Sequence, residues 1–428
     1  MSKRDLNGKA WEALFRKYSI LECVQQGGLF EISAERIKAF REPRLMTKFD
    51  DSERLPRIFK DNALGILPNT RGTYLIGDIE LFHKFEVPSI SPIQQITPVI
   101  PLESLDYTQI MSEALALNSA YSSGMLSCFL GEENLYPTIS GRMKSSSFSF
   151  KVAGKRRSHH IEVNNAQIEI DGGYEGEDSI TLIEAKNRLA SDFLVRQLYY
   201  PFRRWESEMR KPVRSVFLTY TNGIYHFREY TFRDTDCYNS IELLREARYV
   251  IGTDSPQLTL QSIRDIIAEL EISDEDYYPK EIIPQADDFG RVINILEDLM
   301  RTLVLEAVDI SEQQHFTLRQ SDYYMNAVIF LRLVQRVEGR YQLTAVGRDI
   351  MGKDIHGRNL ALAREMLRPR FLRKAMKTSI ERGELISSFE MSDIMRGEGI
   401  SLSDSTVRRR AQTARAWLKW LLDNRAED

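Results

Sequence analysis

The sequence predicts a mixed α/β (α+β) core on a mixed central sheet, followed by a mainly α-helical C-terminal region. Three observations carry this. Residues 167–187, QIEIDGGYEGEDSITLIEAKN, place two apolar-alternating runs around a polar tip, the pattern of a β-hairpin. VRSVFLTY and IYHFREYTF flank Thr221-Asn222-Gly223, and Asn-Gly is the strongest short hairpin signal. Beyond residue 290, RVINILEDLMRTLVLEAV and the last 25 or so residues repeat apolar positions at helical spacing.

The first hairpin organises the rest. Gly176-Glu177-Asp178-Ser179 is turn chemistry. With Glu177-Asp178 at the tip, positions whose numbers sum to about 355 face each other. Asp171 then lies across from Glu184, and Glu169 across from Lys186. Period-two alternation puts Glu184 and Lys186 on one strand face, with Asp171 opposite them on the same face. Ile168, Ile170, Ile183 and Ala185 form the other face, expected to be core. Gly172 and Gly173 are placed to introduce a bulge that would move this register by one. An apolar hairpin thus gathers two acids and a lysine. Neighbouring carboxylates repel, and one protonates unless a cation is shared. Hard oxygen ligands with room for water suit Mg²⁺. A lysine beside them can orient or deprotonate an attacking water in phosphodiester hydrolysis. A salt-bridged ladder on an exposed hairpin face is the plain alternative.

Before the hairpin, GKAWEALFRKY is an amphipathic helix with Trp11, Leu14 and Phe15 on one stripe, and SAERIKAF is a shorter one capped by Ser33. Arg41, Arg44, Lys48, Arg54, Arg57 and Lys60 crowd the next stretch with acids interspersed. That pattern fits a solvated face, or a basic contact to a nucleic-acid backbone. Residues 69–86 read as a strand pair, and the Pro-rich 87–103 as a linker. DYTQIMSEALALNSA, 106–120, is a helix. Phe148, Phe150 and Val152 alternate as a strand, with Ser140, Gly141, Arg142 and Lys144 in an adjoining loop. His159 and His160 point to opposite faces of the next strand, in a structural or DNA-proximal role. After the hairpin, residues 190–210 form a helix with Phe193, Gln197, Tyr200 and Arg204 near helical spacing.

Asp171, the hairpin turn, and Glu184-Ala185-Lys186 after a Thr-Leu-Ile strand resemble the D…ExK signature of the PD-(D/E)XK nuclease superfamily. A helix before the core strands and another after the hairpin fit its α-β-β-β-α-β series. Ile170 stands where the superfamily usually has proline. The resemblance implies that Asp171, Glu184 and the Ala185 carbonyl bind Mg²⁺, and that Lys186 positions or activates the attacking water. It also implies an acid on the preceding helix, for which Glu113 is the candidate. Glu169 is a second spare acid, and Gln197 is a polar residue of the kind that lies near the lysine. An ordinary solvent-facing role for Glu113 and a packing role for Gln197 stay open.

In the C-terminal third, HFTLRQSDYYMNAVIFLRLVQRVEGRYQLTAVGRDIM reads as a helix over Arg319–Leu333, a tight Glu338-Gly339 turn, a strand Tyr341–Leu343 and a helix capped by Thr344. It resembles a winged-helix module. Arg319, Gln320, Asp322 and Tyr323 belong to its recognition segment. SLSDSTVRRRAQTARAWLKWLLD follows FEMSDIMRGEGI and resembles the recognition helix of a helix-turn-helix. Ser403 is its cap, and Val407, Ala411, Ala414, Leu418 and Leu421 are its buried stripe. Arg408, Arg409, Arg410, Gln412 and Arg415 fall largely on the other face, where arginines can bond guanine or phosphate and Gln412 can bond adenine. A charged helix packed on the core is the alternative.

The 428 residues suffice for two or three domains, read as 1–103, 104–252, a linker 253–290, and 291–428. With 42% hydrophobic and 28% charged residues the chain is ordinary for a globular protein, and a net charge of −4 confines any DNA-binding surface to local basic clusters. Cys23, Cys128 and Cys237 have neither zinc nor disulfide spacing, which suits a reducing cytoplasm. No signal-peptide or membrane-spanning run is present. Taken with the resemblance, the arrangement implies a Mg²⁺-dependent type II restriction endonuclease of a restriction-modification system. Its partners would be double-stranded DNA, a second copy of the chain where the site is palindromic, and a cognate DNA methyltransferase. Two alternatives stand beside it: a modification-dependent or repair nuclease on the same core, and a DNA-binding regulator whose nuclease-like core is a scaffold.

Overall fold

The computed structural model describes residues 6–86, 93–98, 100, 102–252, 255–273, 283–306, 309–310 and 318–426. The chain divides into two compact units, one of residues 1–94, 112–220 and 225–249, the other of 95–111, 221–224 and 250–428.

The first unit opens with α1 (Leu6–Lys17), α2 (Ile20–Gly27), β1 (Leu29–Ser33), α3 (Ala34–Lys38), α4 (Pro43–Thr47), α5 (Arg57–Asn62), β2 (Gly65–Pro68) and β3 (Thr73–Gly77). Ser33 caps α3 by accepting the Arg36 backbone N–H, as its sequence position predicts. Trp11, Phe15 and Phe59 pack edge to face, with Leu14, in the core of this segment. The strand pair expected in 69–86 is not one. β3 instead pairs with β1 and β2, and β4 (Phe82–Lys84) pairs with β11 (Asp192–Leu194). Two short strands with different partners look in sequence like one hairpin.

The central sheet is mixed and seven-stranded, in the order β5-β14-β13-β12-β10-β9-β6. Its strands are β5 (Gln94–Ile96), β6 (Tyr136–Lys144), β9 (Gln167–Glu175), β10 (Ile180–Lys186), β12 (Val213–Thr221), β13 (Ile224–Phe232) and β14 (Ile241–Ile251). α6 (Glu113–Ser122) and α7 (Met125–Leu130) precede β6. β7 (Ser147–Val152) and β8 (His159–Asn164) form a separate hairpin, and α8 (Arg196–Glu208) connects β10 to β12. β10 runs antiparallel to β9 and parallel to β12. A parallel neighbour needs a crossover, and α8 supplies it.

The hairpin register is the expected one, from Ile180↔Glu175 through Ile183↔Gly172. On its other edge β9 slips against β6 between Ile139↔Gly173 and Gly141↔Ile170, so β9 carries a bulge over Asp171-Gly172. The bulge corrects the expected face. Ile168 and Ile170 share a buried cluster with Ile180 and Leu182, whereas Ile183 and Ala185 are buried outside it.

Other boundaries move as well. The helix expected over 106–120 begins at Glu113, because Ser112 caps it by accepting the Leu115 N–H and Asp106 closes its own turn on Thr108. Residues 140–144, expected as loop, lie within β6. Residues 192–194, expected as helix, are β11. Part of the linker expected at 87–103 falls outside the described residues, and Gln94–Ile96 within it is a strand.

The second unit contains α9 (Leu260–Ile272), α10 (Phe289–Thr302), α11 (Leu318–Phe330), β15 (Val334–Val337), β16 (Arg340–Leu343), α12 (Ala345–Met351), α13 (Ile355–Leu367), α14 (Arg370–Arg382), α15 (Ser388–Gly397) and α16 (Asp404–Asp423). The expected linker 253–290 is therefore corrected. α9 lies in it and buries Ile263, Ile266, Ile267 and Leu270 in the unit's core. Glu338 and Gly339, both at positive φ, make the tight turn between β15 and β16. Leu305 makes an isolated antiparallel bridge to Tyr341, and Thr344 caps α12 through the Gly347 N–H. Ser403 stands at the start of α16, but its hydroxyl bonds Thr406 Oγ1 and not a backbone N–H.

Trp417 anchors this core. It is 1% exposed, meets Phe289 and Phe330, and donates to the Ala286 carbonyl at 2.8 Å. Trp417→Ala is expected to cost about 3–5 kcal/mol, read from urea unfolding of the full chain. Among the described residues no helix is long and apolar enough to cross a membrane.

Candidate active site

Two strands and two helices converge on one polar cluster in the first unit. Glu184, on β10, is 6% exposed. Its Oε1 accepts the Lys186 ammonium at 2.5 Å and also the Gln197 amide, at the start of α8. Lys186 Nζ further donates to the Ala185 carbonyl at 3.1 Å and lies 3.8 Å from Glu113 Oε1, in the first turn of α6. Asp171 reaches across from the bulge, and its Oδ2 accepts the Ala185 N–H at 2.9 Å. Asp171, Glu184, Lys186, Glu113 and Gln197 are thus brought together. Glu169 is not. It is half-exposed and paired with Arg142 at 3.2 Å, because the bulge breaks the alternation that set it across from Lys186.

One member escaped the sequence reading. Asp50, 9% exposed, accepts from Arg54 at 3.0 Å and lies 3.5 Å from the Gln197 amide. Its segment is tied in place by carboxylates. Asp51 pairs with Arg188 at 2.6 Å, Asp192 accepts from the Ser52 N–H at 2.8 Å and from its hydroxyl, and the Asp50 carbonyl accepts from Leu194 N–H at 2.8 Å. The only signal was the adjacent Asp50-Asp51 pair in a basic stretch, which had read as charge balance on a solvated face.

The electrostatics follow from burial and crowding. Burial pushes the Glu184 carboxyl up to about 8; Lys186 pulls against this and Asp171 and Asp50 reinforce it. Burial also raises Glu113, with Lys186 opposing and Asp171 adding. Asp50 is buried too, but Lys186, Arg54, Lys48 and Arg188 outweigh that and hold it low. Burial works against the Lys186 charge, yet Glu184, Glu113, Asp50 and Asp171 together hold its proton above the ordinary lysine range. Lys186 is therefore the cation on which Glu184, Glu113, Asp50 and Asp171 all act. Among the described residues no three His, Cys, Asp or Glu side chains form a metal-holding group. The donor chemistry nevertheless fits a hard divalent ion. Carboxylate and carbonyl oxygens dominate, Glu184 keeps a proton where a cation would displace it, and Gln197 Oε1 is buried with no hydrogen-bond partner.

In the second unit, Arg319, Gln320, Arg408, Arg409 and Gln412 are exposed. Arg319 Nε donates to the Tyr323 hydroxyl at 2.5 Å and stacks on its ring. Arg410 is half-buried. Burial and the like charge of Arg409 lower its pKa against the pull of Tyr323, so α11 and α16 present neighbouring side chains. Arg415 is spent otherwise, donating to the Ile386 carbonyl at 2.9 Å. Among the described residues no carboxylate pairs with Arg408, Arg409 or Arg410. Elsewhere in the unit Arg364, Arg382 and Arg396 pair with Glu269, Glu390 and Asp404.

The comparisons with known proteins define domains but no activity. Residues 8–76, 77–250 and 291–426 match models of three domains of unknown function, DUF6996, DUF6997 and DUF7226 respectively. No curated protein and no solved structure matches.

Proposed function

We propose that this chain is a Mg²⁺-dependent endonuclease that hydrolyses phosphodiester bonds of double-stranded DNA at a specific short sequence, a type II restriction endonuclease. The observation that carries the reading is the meeting of Asp171, Glu184, Lys186 and Glu113 at the bulged hairpin. The order α6, β6, β9, β10, α8, β12 supports it, since the PD-(D/E)XK series α-β-β-β-α-β runs the same way once α7, β7–β8 and β11 are taken as insertions.

Asp171, Glu184 and the Ala185 carbonyl would hold Mg²⁺, with Glu113 completing the oxygen set. The bound ion would supply Lewis-acid stabilisation of the charge that develops on the phosphate. Glu184 gives up its proton on loading. The Lys186 ammonium would orient the attacking water by donating a hydrogen bond to it and would stabilise negative charge developing on the phosphate. Gln197 fixes the Glu184 carboxylate by donating to Oε1. Asp50 stabilises the Lys186 charge and keeps Gln197 in place. The products would be a 5′-phosphate and a 3′-hydroxyl.

Sequence selection falls to the second unit. α10, the Leu305 bridge, α11 and the β15–β16 hairpin follow the order of a winged helix, and α15–α16 follows that of a helix-turn-helix. Arg408, Arg409 and Arg410 of α16, which no carboxylate pairs among the described residues, would make one basic face for a duplex with Arg319. Arg409→Ala and Arg410→Ala are each expected to weaken binding to plasmid-derived duplexes and to lower the salt slope by about 1, measured by fluorescence anisotropy between low and moderate salt. An unchanged slope in both would remove α16 from the interface.

The direct test is incubation of the purified chain with unmethylated phage DNA, with Mg²⁺ and with EDTA. Discrete Mg²⁺-dependent fragments are expected. Absence of cutting on unmethylated DNA, with cutting on methylated or branched DNA, would transfer the activity to a modification-dependent or repair nuclease. Binding without cleavage on all of them would leave a regulator.

A further inference from the structure

A second polar cavity of about 590 Å³ opens in the first unit, between the ends of α2 and α5 and the loop joining β7 to β8. It does not include the residues of the carboxylate cluster. One side is cationic, with Lys155, Arg156 and Arg157 consecutive in that loop and His159 at its end. Its two lining acids are engaged. Asp78 accepts the backbone N–H groups of both Lys155 and Arg156, at 3.0 and 3.1 Å, which fixes the loop; Asp61 pairs with Arg57 at 3.2 Å. Among the described residues no carboxylate pairs with the three cationic side chains. The Arg157 guanidinium packs against Gly28, where a Cβ would fall 2.1 Å from its Nη2. His159 is 7% exposed and hydrogen-bonded to the Asp78 backbone, and its Nε2 is buried without a partner. The opposite side combines apolar Val24 and Leu64 with the carboxamides of Gln25 and Asn62.

We infer that this cavity is a binding site for a phosphate monoester of nucleotide size. Lys155, Arg156 and the His159 Nε2 would hold the phosphate, by charge-assisted hydrogen bonds. The apolar wall and the carboxamides would receive a flat, hydrogen-bonding body such as a base. The volume lies in the range of small-ligand pockets, of order 300–1,000 Å³, and exceeds what a bare phosphate needs. Such a ligand has two sources, a free nucleotide or the 5′-phosphate end of a nucleic-acid strand.

The test is isothermal titration calorimetry on the full chain in EDTA. The probes are the four nucleoside 5′-monophosphates, adenosine, inorganic pyrophosphate, and a short single-stranded oligonucleotide with and without a 5′-phosphate. At least one phosphate ester is expected to bind and adenosine is not. Lys155→Ala with Arg156→Ala should weaken that binding by about tenfold or more, since charge-assisted contacts are lost. A His159→Asn variant of unchanged melting temperature should weaken it separately, which guards against a folding defect in the double variant. Tighter binding of the phosphorylated oligonucleotide than of any mononucleotide identifies a strand end, and the reverse a free nucleotide. No binding by any phosphate ester at millimolar concentration, or binding that the variants leave untouched, overturns the site. Neither result depends on whether the chain cuts DNA.

Discussion

Lys186→Ala should abolish Mg²⁺-dependent cleavage while leaving duplex binding within about twofold of wild type. The loss expected for removing one preorganised group that stabilises transition-state charge is about 10²–10³-fold, and here the same ammonium also organises the carboxylates. Lys186 is the group that Glu184, Glu113, Asp50 and Asp171 all stabilise. Deleting it leaves Glu184 buried and close to two other acids, so the variant's remaining carboxylates should repel more strongly. A second readout follows. In EDTA the variant should be less stable than wild type, and added Mg²⁺ should restore more stability to it than to wild type, by differential scanning calorimetry. Full cleavage by the variant would sink the nuclease assignment of this cluster. Lost cleavage together with lost DNA binding would mean a folding defect, which Lys186→Met, matched in length, would resolve.

The part of this site that sequence made legible is the part built from local pattern. The hairpin register was readable because one turn fixes it, and the observed Ile180↔Glu175 pairing is the expected one. Asp171, Glu184 and Lys186 are separated by one hairpin, so alternation was enough to bring them together. Gln197 and Glu113 were expected only through the resemblance, which implies an acid on the preceding helix and a polar residue near the lysine. The faces of Ile168 and Ile170 were misjudged because a bulge adds a residue that alternation cannot count, although Gly172-Gly173 marked where it would fall. Asp50 was not legible at all. It lies far from the hairpin in sequence, and only the ties of Asp51 to Arg188 and Asp192 to Ser52 bring it there. Long-range pairings of that kind leave no periodicity. α9 was missed for a related reason: the acidic, polar residues around it resemble a linker, while its Ile263, Ile266, Ile267 and Leu270 stripe is only one helix face.

Glu184→Gln should abolish cleavage and yet stabilise the metal-free protein at alkaline pH. The sign comes from proton linkage. In the unfolded chain this carboxyl titrates near its ordinary 4.5, and in the folded chain burial raises it to about 8. A raised folded pKa means that folding takes up a proton between those values. The stability it contributes is complete below about pH 4.5 and is lost as pH rises through about 8. Glutamine keeps the neutral, hydrogen-bonding form at every pH. The melting temperature of wild type in EDTA should therefore fall relative to the variant across this window, with the gap widest above pH 8. Mg²⁺ reverses the comparison, because an ionised Glu184 is a ligand and glutamine is a poor one. Wild type should gain stability from Mg²⁺ increasingly as pH rises towards 8, and the variant should gain little. Cleavage by wild type should rise over the same range, since each loaded site must first release the Glu184 proton. A wild type that tracks the variant at every pH in EDTA would show that Glu184 is ionised throughout. The cluster would then be a satisfied salt bridge to Lys186, and the case for a cation at this site would rest on Asp171 and Glu113 alone.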